Sequence, residues 1–114
     1  MTPIDFNGLD TTVHGPIRLG VMAALRIDRE LDFTTLKKRL NARDGSLGMH
    51  LQKLEEIGYI TARKAFVGRR PKTTYRLTPA GSNALANYLD SMSKLIEAVK
   101  GASAHRQEQP NPMS

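Results

Sequence analysis

The stretch Thr34–Gly58, TTLKKRLNARDGSLGMHLQKLEEIG, decides how this chain is read. Its second half repeats apolar side chains at Leu47, Leu51, Leu54 and Ile57, at spacings of four, three and three, which gathers them on one face of a helix over about 45–57. Gly58 stands where such a helix needs a left-handed stop. The other face then carries Ser46, Gly48, Met49, His50, Gln52 and Lys53. In the first half, Thr34 is a good N-cap for a brief helix with Leu36 and Leu40 on its apolar side. Asn41-Ala42-Arg43-Asp44 reads as a tight turn between the two, with Asp44 expected to cap the longer helix.

Upstream, residues 1–13 mix Pro3 and Gly8 with scattered apolar side chains and read as an irregular arm. His14-Gly15-Pro16 opens a helix with Pro at its first position, and Ile17, Val21 and Leu25 continue it to about Ile27. Leu31-Asp32-Phe33 is a short extended link. Downstream the period changes from about 3.6 to 2. Ile60, Ala62 and Phe66 fall on one side, a loop Gly68–Lys72 follows, and Thr73, Tyr75 and Leu77 alternate back, giving a hairpin with a basic tip. Thr78-Pro79 caps and starts a last helix to about Lys100. Residues 101–114 are polar with two prolines and are expected to be disordered.

A chain of 114 residues with 39% apolar and 25% charged side chains is the size and composition of one globular domain. The absence of cysteine excludes disulfides, thiolate metal sites and cysteine nucleophiles. Neither a membrane-length apolar run nor a secretory leader is present, so a cytoplasmic location is expected. The net charge is +6, but between Thr34 and Arg76 eleven bases meet three acids, so that segment carries +8 and the rest of the chain −2. The middle of the chain is built to meet a polyanion.

Helix, short helix, turn, amphipathic helix and basic hairpin, in that order, make an α+β, mainly α arrangement: a winged helix-turn-helix with a long C-terminal dimerisation helix. The expected boundaries are an arm at 1–13, the domain at 14–100 and a tail at 101–114. The polar face of the third helix fits a major groove, and a two-stranded wing reaches backbone or minor groove beside it. The candidate DNA-binding residues are Thr34, Ser46, Met49, His50, Gln52, Lys53, Arg69, Arg70 and Lys72. The alternative is a winged-helix module that binds protein and not DNA, which would carry apolar or acidic side chains where this chain has Arg69, Arg70 and Lys72.

Three segments, HGPIRLGVM from His14, LGMHLQKLEEIGYI from Leu47 and FVGRRPKTTYRLT from Phe66, resemble winged-helix transcriptional regulators related to the MarR and ArsR groups. The resemblance spans about His14 to Leu95 and implies a dimer that binds operator DNA, with the third helix as reader and the Gly-Arg hairpin as wing. It also implies that His50 approaches the DNA backbone. Where such helices often carry small hydroxyl residues this chain has Gly48 and Met49, which implies little base-specific hydrogen bonding from those two positions. Some relatives take a small-molecule effector between the last and first helices, and an effector stays an open partner here.

Other features carry less. His14 reads as a local cap or turn residue, and the three histidines are too scattered for a metal site. Glu55 and Glu56 are adjacent on a helix and point about 100° apart, so they cannot serve one substrate as a pair. No catalytic residues, metal or cofactor are expected. In the last helix Leu85, Tyr88, Leu89, Met92, Leu95, Ile96 and Val99 form an apolar stripe. A helix of about 20 residues spans about 30 Å, too long for so small a domain to cover, so the stripe is expected to hold a homodimer.

Overall fold

Pro16, which needs no N–H donor at the first helical position, opens α1 (Pro16–Asp28). The computed structural model describes residues 10–108; the arm up to residue 9 and the last six residues of the expected tail lie outside them. After α1 come β1 (Leu31–Asp32), α2 (Phe33–Leu40), α3 (Asp44–Ile57), β2 (Ile60–Val67), β3 (Arg70–Leu77) and α4 (Pro79–Glu108). The strands form one antiparallel sheet in the order β1-β3-β2, with Leu31 opposite Tyr75 and Ile60 opposite Leu77. This is the mainly helical winged helix-turn-helix that the sequence implies.

Every element contributes to one core. Val21, Met22 and Leu25 of α1 meet Leu36, Leu47, Leu51, Leu54, Ile60, Leu85 and Tyr88. Burying a side chain of this size contributes about 1.5–3 kcal/mol, so the three α3 leucines fix that helix firmly. The fourth residue of its stripe, Ile57, remains 40% exposed at the last turn. Gly58 then ends α3 at φ 90°, ψ 19°, donating its N–H to the Glu55 carbonyl.

Several boundaries differ from the sequence reading. The cap of α2 is Asp32, not Thr34: its carboxylate accepts from the Thr35 N–H at 2.8 Å, so the helix starts two residues early and Thr34 lies exposed inside its first turn. Asp44 is not a cap either. It is the first residue of α3 and is paired with Lys37 at 2.6 Å, while Arg43 holds the cap position without a side-chain bond. The hairpin turn is shorter than expected: Val67 pairs with Arg70, leaving only Gly68, at φ 65°, and Arg69 between the strands. Phe66 is 74% exposed, because the hairpin extends past the edge of the core after Ala62. Finally, α4 does not stop near Lys100 but continues to Glu108. Ala102 and Ala104 are strong helix formers, and one interior glycine costs only about 1 kcal/mol.

Two close contacts lock the base of the hairpin to α4. The Thr78 hydroxyl accepts from the Gly81 N–H at 3.0 Å, as expected of a cap, and donates to the Gly58 carbonyl at 2.5 Å. A Cβ on Gly81 would lie 2.0 Å from the Tyr59 carbonyl oxygen, so only glycine fits.

Candidate nucleic-acid interface

With its leucines buried, α3 must turn Ser46, Met49, Gln52 and Lys53 outward, and all four are exposed. Gly48 has nothing within 4 Å of the position a Cβ would take. Gln52 donates loosely to Glu56 at 3.4 Å, one turn along. His50 is half-buried, and its Nδ1 accepts from Arg18 Nε at 3.0 Å. Accepting at Nδ1 leaves the ring proton on Nε2. Partial burial and then the Arg18 charge hold the imidazole below its ordinary pKa, so it is neutral at pH 7.

The wing lies beside this helix. On one face of the hairpin Ala62, Lys64, Thr73 and Tyr75 line a groove of about 180 Å³ shared with Gly48, Leu51, Gln52 and Glu55 of α3. Burial, then the nearby Glu55 charge, raise the Tyr75 phenol above its ordinary pKa. Every side chain from Arg63 through Lys72 is exposed.

The basic segment divides into two groups. Lys37, Arg39, Lys72 and Arg76 are ion-paired with Asp44, Asp28, Asp32 and Glu30 respectively. Lys72 lies 3.9 Å from the Asp32 carboxylate, which ties the wing to the start of α2. Hydrogen bonds from Thr35, with a smaller contribution from Lys72, keep the Asp32 carboxyl below its ordinary range, so it stays charged. The other seven, Lys38, Arg43, Lys53, Arg63, Lys64, Arg69 and Arg70, have no ion pair among the described residues. All seven are exposed, and they lie on α2, the turn before α3, α3 and the wing.

The stripe of α4 divides as well. Leu85 and Tyr88 are each 2% exposed and belong to the core of the single chain, so they are not available to a partner. A heptad stripe looks the same on either kind of face, so sequence alone assigns them to dimerisation. Met92 and Leu95 are half-buried, whereas Leu89, Ile96 and Val99 are 50, 45 and 55% exposed.

Three contacts were not legible in the sequence. Arg18 reaches His50 across 32 residues. His14, read as a local cap, instead meets the Tyr88 hydroxyl at 2.7 Å across 74 residues and fastens α4 to the start of α1. The Tyr59 hydroxyl donates to Asp10 at 2.6 Å. Burial alone would raise the Asp10 pKa, but bonds from Tyr59 and the Thr12 and Val13 backbone outweigh it and lower it. Only the Asp32 cap carried a local signal, since Asp caps as well as Thr and Thr35 stands three residues on.

A short second helix bracing an outward-facing third, with a basic two-stranded wing beside it, defines a winged-helix nucleic-acid-binding domain. The chain belongs to the winged helix DNA-binding domain family, whose model matches residues 17–96. An uncharacterized protein of Methanocaldococcus jannaschii is 33% identical over 84 residues, 74% of this chain and 91% of that protein. The transcriptional regulator homologue of Pyrococcus horikoshii OT3 is similar in structure, with TM-score 0.73 and 28% identity over 79% of this chain and 89% of that one. A MarR-family transcriptional regulator of Enterococcus faecalis V583 matches with TM-score 0.66 and 25% identity over 83% of this chain and 84% of its own. Bacillus subtilis PadR, solved in complex with operator DNA, matches with TM-score 0.57 and 25% identity over 61% of this chain and 44% of its own. The family is one of DNA-binding domains, and the Pyrococcus and Enterococcus neighbours are transcriptional regulators. Among the described residues no helix is long and apolar enough to cross a membrane.

Proposed function

We propose that the protein is a cytoplasmic, homodimeric transcriptional regulator that binds specific duplex DNA, with α3 in the major groove and the wing on the adjacent backbone or minor groove. The observation that carries this reading is the set of seven exposed cations, without ion pairs among the described residues, on α2, α3, the turn between them and the wing. Gln52 pairs with adenine through its amide, Ser46 reaches a base edge, and Met49 lies against a thymine methyl. The His50 Nε2–H donates to a phosphate while Arg18 fixes the ring. Thr34, Lys53, Arg69 and Arg70 meet the backbone, and Lys72 holds the wing in place through Asp32.

Leu89, Met92, Ile96 and Val99 repeat at three, four and three residues, the spacing of a helix–helix seam, with Leu95 at its flank. Paired with a second copy, this seam sets two recognition helices on half-sites about 10 base pairs, or a multiple, apart. Selection of bound sequences from random duplex DNA tests the function. A motif with two-fold symmetry at that spacing is expected, and recovery of an unenriched pool overturns the specific-binding reading. Light scattering tests the seam: the wild type is expected to be a dimer and Leu89→Asp with Ile96→Asp a monomer.

A further inference from the structure

The wing ends in an apolar surface that its basic residues do not explain. Phe66 is 74% and Val67 63% exposed, next to the Gly68-Arg69 turn. Phe66 lies outside the hydrophobic core, so its large side chain is not needed to fill it. The pairing register separates them: Val67, opposite Arg70, lies on the far face of the hairpin, and Phe66 on the near one. Phe66 lies opposite Pro71, Lys64 opposite Thr73 and Ala62 opposite Tyr75, and paired residues share one face of a hairpin. Ala62, Lys64, Thr73 and Tyr75 line the groove shared with α3, so Phe66 and Pro71 continue the α3-facing surface of the wing. Two residues further along the strand carries them roughly 7 Å beyond Lys64. Pro71 presents no side-chain donor, and the cations flanking the pair are Lys64, Arg69 and Arg70, none of them in an ion pair among the described residues.

An apolar pair framed by three unpaired cations suits a surface that is anionic at its rim and apolar within. The minor groove is such a surface: phosphates line its edges, and deoxyribose and base steps form its walls and floor. A protein partner with an apolar face would not need the cations, and a phosphate row alone would not need the phenyl ring. We propose that Phe66, backed by Pro71, is an apolar wedge that enters the minor groove beside the α3 site, with Arg69 and Arg70 on the bordering phosphates, and bends the duplex. The wedge rests on the DNA-binding reading and adds a second source of specificity. It favours sites with a flexible pyrimidine–purine step under the wing, where partial unstacking costs least. With Gly48 and Met49 offering no side-chain hydrogen bonds on α3, reading of DNA shape by the wing takes a larger share of site choice.

The test compares the wild type, Phe66→Ala and Phe66→Leu on a selected duplex with fluorophores at its ends, reading affinity, salt dependence and end-to-end distance. Phe66 lies outside the core, so the variants keep the fold, which circular dichroism verifies. The wild type is expected to bend the duplex, and Phe66→Ala to bind it roughly tenfold more weakly without the bend and with an unchanged salt slope. Phe66→Leu, still a wedge, retains most of the bend. Phe66→Ala with wild-type affinity and bend overturns the wedge while leaving DNA binding intact. A wild type that binds no duplex overturns the functional reading itself.

Discussion

The two elements proposed to meet DNA are built in opposite ways. Helix α3 sends Leu47, Leu51 and Leu54 into the core, and its outward side chains are partly engaged within the chain, His50 by Arg18 and Gln52 by Glu56. The wing past Ala62 has no core contact; its ladder to β3 and the Lys72–Asp32 pair hold it, and its side chains from Arg63 to Lys72 are all exposed. A helix fixed by packing keeps donors in register, as reading a base edge requires. A hairpin fixed mainly by its backbone ladder carries long cations that adapt to phosphate positions whatever the sequence. Base reading by α3 and phosphate contact by the wing cations are therefore expected to separate, with the Phe66 wedge adding shape reading to the wing.

Stability is expected to separate the two elements most strongly. Leu54→Ala opens a cavity under α3 and is expected to cost about 2–5 kcal/mol in urea denaturation. Phe66→Ala on the wing should stay within about 0.5 kcal/mol of the wild type. Equal losses would mean that the wing is packed into the fold. Gly81→Ala, which forces a methyl against the Tyr59 carbonyl oxygen, is expected to destabilise the base of the wing by about 1–3 kcal/mol.

Binding gives the next pair of effects. Arg69→Ala with Arg70→Ala should weaken selected and scrambled duplexes in equal proportion and flatten the slope of log K against log salt by about one or two units. Gln52→Ala should leave scrambled DNA nearly unaffected while costing about 1–3 kcal/mol at a selected site. Equal proportional losses on both duplexes for Gln52→Ala would show that α3 does not read sequence through that side chain.

The smallest expected effect is a pH dependence. The folded state holds His50 below its ordinary pKa, so the unfolded chain takes up the proton first as pH falls. The stability that the neutral ring contributes is complete above about pH 6.5 and declines as pH falls from there to the folded-state value. Thermal melts from pH 8 to 5 should therefore show a shallower decline for His50→Gln than for the wild type.

Most of this architecture was legible because it rests on local period. The stripe of Leu47, Leu51 and Leu54, the Gly58 stop and the Thr78-Pro79 start each repeat or cap within a few residues, and the structure has them in place. Period alone does not tell which partner covers a stripe. Leu85 continues the seven-residue spacing of Met92 and Val99, and Tyr88 that of Leu95, yet one end of α4 lies on the core and the other projects beyond it. Alternation failed at Phe66 for the same reason, since a strand keeps its period after the core beneath it has ended. Contacts between distant residues, Arg18 with His50 and His14 with Tyr88, have no local signature at all. In the candidate interface, the exposed polar face and the basic tip were readable, and the internal pairing that withdraws Lys37, Arg39 and Arg76 from it was not.

A cationic surface of α2, α3 and the wing is expected to bind duplex DNA. Titrating the wild-type protein with a fluorescent duplex over a salt series measures it most directly. Neutralising several phosphates should make log K fall linearly with log salt, with a slope of about −0.9 for each phosphate contacted. No association even at low salt would mean that this surface does not bind DNA.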